Sequence, residues 1–172
     1  EDIKAAELAD QYINQWYLQP LMEKRYPPIL DMLNDQHKPD IHDGDLDIIG
    51  QELDFLGVNF YTRLTYSAPT QEGEFYTEHE HLYPRTDIGW EIFPQALTDY
   101  LIRLNNTYKL PPIYITENGA AMADKIVDGE VNDHDRIEYY HQHLNAVNDA
   151  IINDVDVQGY FAWSLMDNFE WA

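Results

Sequence analysis

The chain contains no cysteine, so neither a disulfide framework nor a thiolate metal site is open to it. Positive charge is scarce: 10 Lys and Arg stand against 32 Asp and Glu, a formal net charge of −22. A surface that acidic repels polyanions, which argues against nucleic-acid partners and anionic membranes. No apolar run approaches the length of a membrane span. No signal peptide opens the chain, but its first residues read as internal to a longer polypeptide, so that absence carries little weight; a cytoplasmic location is the bare expectation. Glycines number 8 in 172 residues, and none builds a phosphate-cradling loop behind a strand. That disfavours nucleotide-binding versions of an α/β fold. What is present is an apolar fraction of 44%, enough for one globular domain with a sizeable core.

Hydrophobic spacing orders the chain. Ile3, Ala6, Ala9, Tyr12, Ile13, Trp16 and Tyr17 recur at helical intervals, and Pro20 should end that helix. Leu53 to Tyr61 is a compact apolar run and predicts a buried strand, with Asn59 and Tyr61 on one side near its end. Residues 62–90 predict a long irregular stretch. Pro94 opens a second helix with Phe93, Leu97, Tyr100, Leu101 and Leu104 on its buried face, and Asn105-Asn106 closes it. Ile113 to Thr116 predicts a second strand, and Asp128-Gly129 a turn. Asp135 stands as N-cap to a third helix, expected to bury Ile137, Tyr140, Leu144, Val147 and Ile151. Val155 to Leu165 is the third strand. Helix and strand alternate throughout, the pattern of right-handed βαβ units in a parallel sheet.

Two acidic clusters invite a metal. Asp43, Asp45 and Asp47 alternate as in a calcium loop, but Ile48 stands where the turn needs Gly, so the patch reads as a solvated face. Glu78-His79-Glu80-His81 lies in the irregular stretch, where nothing rigid orients the imidazoles. The segment with chemical content is Ile113-Tyr114-Ile115-Thr116-Glu117-Asn118-Gly119. An apolar strand ends in a carboxylate, an amide and a glycine able to turn the backbone. Glu117 therefore belongs at the C-terminal mouth of a strand, where parallel α/β sheets keep their chemistry. A salt-bridged or solvated loop glutamate fits those seven residues equally well.

Four segments decide between these readings. Ile113 to Ala121 resembles the nucleophile segment of glycoside hydrolase family 1, the β-glucosidases. Phe55 to Tyr61 resembles that family's sixth barrel strand, and Thr86 to Pro94 its entry to the sixth helix. Gly159 to Trp171 resembles its eighth strand and the loop behind it. The resemblance implies the C-terminal portion of a (β/α)8 barrel, the fifth helix through the eighth strand, forming a single incomplete domain over residues 1–172. In so partial a barrel Val58, Phe60, Ile115 and Phe161 would be left without packing partners on at least one side.

It further implies a retaining β-glycosidase, using no metal and no cofactor, acting on a β-glucoside or small oligosaccharide. Retaining sites place two carboxyl groups about 5–5.5 Å apart. By resemblance Glu117 is the nucleophile, Tyr61 orients it, and Asn59 adds a polar group from the same strand end. Trp163 is the platform under the sugar ring, Trp90 lines the leaving-group site, and Glu170 and Trp171 bind the outer hydroxyls. Relatives that cleave 6-phosphosugars keep no acid at the position of Glu170.

The departure is large. The family's acid/base sits in a Thr-Phe-Asn-Glu-Pro type segment on the fourth strand, and no Asn-Glu-Pro occurs here. The chain is expected to need the missing N-terminal barrel portion, in cis or in trans, and self-association is a further possibility. A non-catalytic carbohydrate-binding relative with the same cradle is the competing reading.

Overall fold

The structure, a computed structural model, describes residues 1–79 and 83–169. In chain order these form helices α1 (Asp2–Asp10), α2 (Trp16–Glu23), α3 (Ile29–Met32) and α4 (Asp45–Ile49). Strands β1 (Leu56–Asn59), β2 (Thr65–Ser67) and β3 (Thr77–His79) follow. Helix α5 (Gln95–Thr107), strands β4 (Ile113–Asn118), β5 (Ile126–Val127) and β6 (Glu130–Val131), helix α6 (His134–Ile152) and strand β7 (Val157–Ala162) complete the order. The residues cluster into two compact units, one of residues 1–52 and 64–81, the other of residues 53–63 and 82–172.

In the first unit, the opening helix does not stop at Pro20. A π turn over Gln11–Gln15 joins α1 to α2, which carries Pro20 inside it and ends where Lys24 turns left-handed at φ 53°. Wide turns of this kind let a helix absorb a missing backbone donor. The buried residues are Ala5, Ala9, Leu18 and Pro20, whereas the expected face is largely exposed, Ile3 at 78% and Tyr17 at 68%. Ala5 and Ala9 are more deeply buried than the large side chains of the expected face. Trp16 packs against Tyr12 and Tyr26, and Gln11 Oε1 accepts the Ile29 N–H at 3.0 Å. The stretch 62–90 is less irregular than expected. β2 and β3 pair antiparallel within it, Ser67 Oγ lies 2.5 Å from His79 Nε2, and Tyr66 meets Tyr76 edge-on. Asp45 and Asp47 sit in the first turn of α4, with Asp47 3.1 Å from Lys24 Nζ.

The second unit holds the functional frame. β1, β4 and β7 form a parallel sheet in the order β1-β4-β7, so β4 is flanked on both sides. Strand alternation sends Leu56, Val58, Ile113 and Ile115 to one face, where they are buried beneath α5 and α6. Burying each such side chain is worth about 1.5–3 kcal/mol, which makes this face the core. Val58 and Ile115 thus face the helices and are packed there, not left without partners. Phe60 is half-buried with its ring 6.2 Å from His143, and Phe161 alone of the four residues expected to lack partners stands on the open face, 56% exposed. On that open face Thr116 lies across Gly57, and the Tyr114 ring lies across Gly159, where an added Cβ would come within 2.5 Å of it.

The helix faces also differ from the apolar pattern. α5 buries Leu97, Thr98, Leu101 and Leu104, close to expectation. α6 buries Tyr139, His143, Ala146, Val147 and Ala150, while Ile137, Leu144 and Ile151 are exposed. Ala146 and Ala150 admit the neighbouring helix closely, and Thr98 Oγ1 donates to the Ala146 carbonyl at 2.8 Å. The helix starts one residue before Asp135. Asp133 occupies the N-cap position without a side-chain capping bond, because Arg136 Nη1 holds its carboxylate at 2.6 Å. Asp128 and Gly129 make the expected turn, both with positive φ, as the two-residue link of the β5–β6 hairpin requires.

His143 is fully buried, stacked on Tyr139, with Nδ1 2.8 Å from the Tyr139 carbonyl. Its Nε2 has no hydrogen-bond partner among the described residues. Burial pushes its pKa below the ordinary imidazole value, against a smaller upward pull from the Tyr139 carbonyl. The unfolded chain therefore takes up the proton first on acidification, so stability is full above about pH 6.5 and declines as pH falls from there. The thermal midpoint should drop more between about pH 7.5 and about pH 5 in the wild type than in His143→Gln. Parallel profiles for the two proteins would contradict this.

Candidate active site

Glu117 stands near the C-terminal end of the central strand, as its sequence context predicts. The pairing slips on both sides of it, between Val58 and Asn59 toward β1 and between Ile115 and Asn118 toward β7. Such irregularities re-aim side chains at strand ends. Here the consequence is that Tyr61, just beyond β1, donates its phenolic hydrogen to Glu117 Oε2 at 2.6 Å. Hydrogen bonds to a charged acceptor are short and roughly twice as strong as neutral ones.

Asn59 lies on the open face but is not directed at Glu117: its Oδ1 accepts the Thr116 hydroxyl at 2.7 Å. It is a neighbour of the carboxylate, not a partner. Trp90 packs its ring 5.2 Å from that of Tyr61, tilted by 55°. The turn that holds it is built by Thr86, which is buried. Thr86 donates its backbone N–H to the Trp90 carbonyl and accepts the Trp90 N–H on its hydroxyl. Gly89, at φ 85°, makes that turn possible. The next residue, Glu91, is 1% exposed and meets Arg63 Nε at 2.6 Å, and the guanidinium lies over the Phe93 ring at 3.5 Å. Segments 61–63 and 90–93 are thereby tied together.

Trp163 follows β7. Its N–H donates to the Asn118 carbonyl at 2.8 Å, and its own carbonyl accepts the Tyr140 hydroxyl at 3.3 Å. The Trp163–Ser164 peptide is cis. Tyr61, Trp90 and Trp163 share one open cleft of about 340 Å³, which Gly119, Met122 and Arg136 also line. Glu170 and Trp171 lie outside the described residues. Of the expected site residues, four therefore converge (Glu117, Tyr61, Trp90 and Trp163), and Asn59 stands beside them.

Sequence reasoning passed over the residues that hold this arrangement. Arg136 donates to Asp124, Asp133 and the Ala120 carbonyl, fastening the loop behind Glu117 to α6. The Asp124 bond, with Asp133 adding to it and burial opposing it, raises its pKa further above any working pH. Its neighbours in sequence had pointed instead to a capping box. Asn118 had no role of its own in the sequence, and Gly119 only that of turning the backbone. A side chain at Gly119 would place its Cβ 1.8 Å from the Trp163 carbonyl oxygen. Only glycine lets the end of β4 and the end of β7 approach this closely.

Residues 1–172 match the family described as Glycosyl hydrolase family 1 over their whole length. The chain belongs to that family. A curated β-glucosidase of Agrobacterium sp. (strain ATCC 21400) is 41% identical over 99% of this chain, which spans 38% of that protein. A β-glucosidase structure from Exiguobacterium marinum superposes with TM-score 0.90 at 39% identity, covering 98% of this chain and 39% of that one. A 6-phospho-β-galactosidase of Staphylococcus aureus (strain Newman) is 35% identical over 100% of this chain and 43% of its own length. The family 1 chain thus spans well under half the length of these relatives, and its parallel sheet with two covering helices is part of a (β/α)8 barrel. Functional groups in that fold gather at the C-terminal ends of the strands, where Glu117 is.

Replacing Gly119 by Ala should separate the ends of β4 and β7, since the obstacle is backbone and cannot rotate away. A loss of about 1–3 kcal/mol or more is expected, with a changed near-ultraviolet circular dichroism signal from Trp163. A Gly119→Ala protein with wild-type stability and an unchanged spectrum would refute the close-approach argument.

Proposed function

We propose that this chain carries the nucleophile half of a retaining β-glycosidase site acting on terminal non-reducing β-D-glucosyl residues. The observation that supports it most is the Tyr61–Glu117 hydrogen bond at the mouth of a parallel barrel strand. One carboxylate oxygen is held by Tyr61, which itself lines the cleft beside Trp90 and Trp163. Glu117 attacks the anomeric carbon, the glycosidic C–O bond breaks, and a glycosyl ester forms. Water then cleaves that ester, so configuration is retained. Tyr61 stabilises the carboxylate when it is released again. Trp163 offers an aromatic face to the apolar side of the pyranose, and Trp90 one to the leaving group.

The leaving oxygen needs a proton, and general acid catalysis is typically worth about 10²–10⁴-fold. No Asn-Glu-Pro segment occurs in the chain. We place the acid/base on residues outside these 172, in agreement with the share of the relatives that the chain spans. The chain by itself then lacks turnover on substrates with poor leaving groups. A purely sugar-binding role is the weaker reading: a naked carboxylate at the anomeric carbon adds little to binding, and the relatives carry the names of hydrolases.

In the complete polypeptide that contains this chain, Glu117→Gln should lower kcat by at least about three orders of magnitude, or about 4 kcal/mol of barrier. An amide cannot form the ester. Retention of wild-type kcat in that variant, measured on an aryl β-glucoside, would overturn the proposal. Glu170 bears on the substrate. A carboxylate facing the outer hydroxyls repels a phosphate and discriminates by repulsion. Unphosphorylated β-glucosides should therefore show the higher kcat/KM, and a preference for a 6-phospho-β-glucoside would contradict the role given to Glu170.

A further inference from the structure

We propose that Asn118 is a positioning residue: its buried amide sets the register among Tyr61, Glu117 and Trp163, and through it the rate of nucleophilic attack. The proposal rests on the function given above. Asn118 follows Glu117 directly, is 0% exposed, and does not line the cleft. Its Nδ2 donates to the Phe60 carbonyl at 2.7 Å and to the Tyr139 hydroxyl at 2.9 Å. Its Oδ1 accepts the Tyr160 hydroxyl. Its backbone carbonyl accepts the Trp163 N–H at 2.8 Å, while Phe60 N–H donates to the Glu117 carbonyl at 2.9 Å.

One side chain thus reaches the residue before Tyr61, the helix behind the sheet, and the strand that leads to Trp163. It does so where the regular strand ladder is interrupted and few backbone bonds hold the register. The pairing slips between Val58 and Asn59 on one flank and between Ile115 and Asn118 on the other. Regular strands fix their neighbours through evenly spaced backbone bonds. At these slips the Asn118 amide adds links to both neighbours beside the two remaining backbone bonds. Burial pushes the Tyr139 and Tyr160 hydroxyls above the ordinary phenol value, so both stay protonated and keep their places in the network. An amide is the group that suits the position, because it donates to a carbonyl and accepts from a phenol at once. A carboxylate of the same shape accepts only, and would face the Phe60 carbonyl with like partial charge.

The test is Asn118→Asp in the complete polypeptide, assayed on an aryl β-glucoside beside Tyr61→Phe, the double variant and Glu117→Gln. Misplacement of a reacting group by about 1 Å costs on the order of 10²-fold, so kcat should fall by about that factor. KM should change by less than about threefold, because the loss lies in the transition state. If Asn118 acts through the Tyr61–Glu117 pair, Tyr61→Phe should cost far less in the Asn118→Asp background than alone. Should Asn118→Asp not fold, Asn118→Ser, which also loses the bridging amide, is judged by the same criteria. Wild-type kcat per folded molecule, or fully additive losses, would overturn the positioning role and leave only a structural one. Full activity in Glu117→Gln would overturn both the function and this inference, whereas an inactive Glu117→Gln beside a fully active Asn118→Asp would overturn this inference alone.

Discussion

β4 has a hydrogen-bonded strand on each side, and the site depends on what happens at its C-terminal end. A central parallel strand cannot shift without both neighbours shifting, so a group at its end inherits the rigidity of the whole sheet. The core face reinforces this, since Ile113 and Ile115 are fully enclosed by the helices. Glu117 is mounted on the central strand of the sheet. Its partner Tyr61 comes from β1's end and Trp163 from β7's end, each a single strand away. Preorganisation of this kind favours catalysis because the groups need not be ordered when the reaction occurs.

The two faces of the sheet divide the work. One is apolar and carries the stability. The other holds Gly57, Asn59, Tyr114, Thr116, Gly159 and Phe161, a mixed surface with Phe161 more than half exposed. Glycines on this face are there to be covered: Thr116 lies on Gly57 and Tyr114 on Gly159. A barrel interior is packed in layers by side chains from alternate strands. Three strands supply only part of each layer, in keeping with the share of its relatives that the chain spans.

Much of this was legible in the sequence, and the rest was hidden for identifiable reasons. The three sheet strands announced themselves as β-branched and aromatic runs with abrupt ends, which put Glu117 and Tyr61 at strand ends, while the roles expected of them came from the resemblance to family 1. The β2–β3 hairpin did not, because its residues are polar and only half-buried, without the apolar alternation that marks a strand. Helix faces were misjudged where burial falls on Ala, His and Tyr in place of the larger aliphatics, as in α6. Ile137, Leu144 and Ile151 carry the periodic signal but not the contacts. The roles of Asn118 and Gly119, and the tie from Arg136 to the Ala120 carbonyl, depend on partners far along the chain, up to 58 positions away, which no local pattern encodes.

The central claim is that Glu117 forms a covalent bond to the sugar. A mechanism-based inactivator, such as an activated 2-deoxy-2-fluoro-β-glucoside, slows the hydrolysis of the ester more than its formation and so accumulates it. Applied to the complete polypeptide and followed by proteolysis and peptide mass spectrometry, it should place the added fluoroglucosyl mass on the segment holding Ile113 to Gly119, at Glu117. Attachment to any other carboxylate, with Glu117 unmodified, would contradict the account.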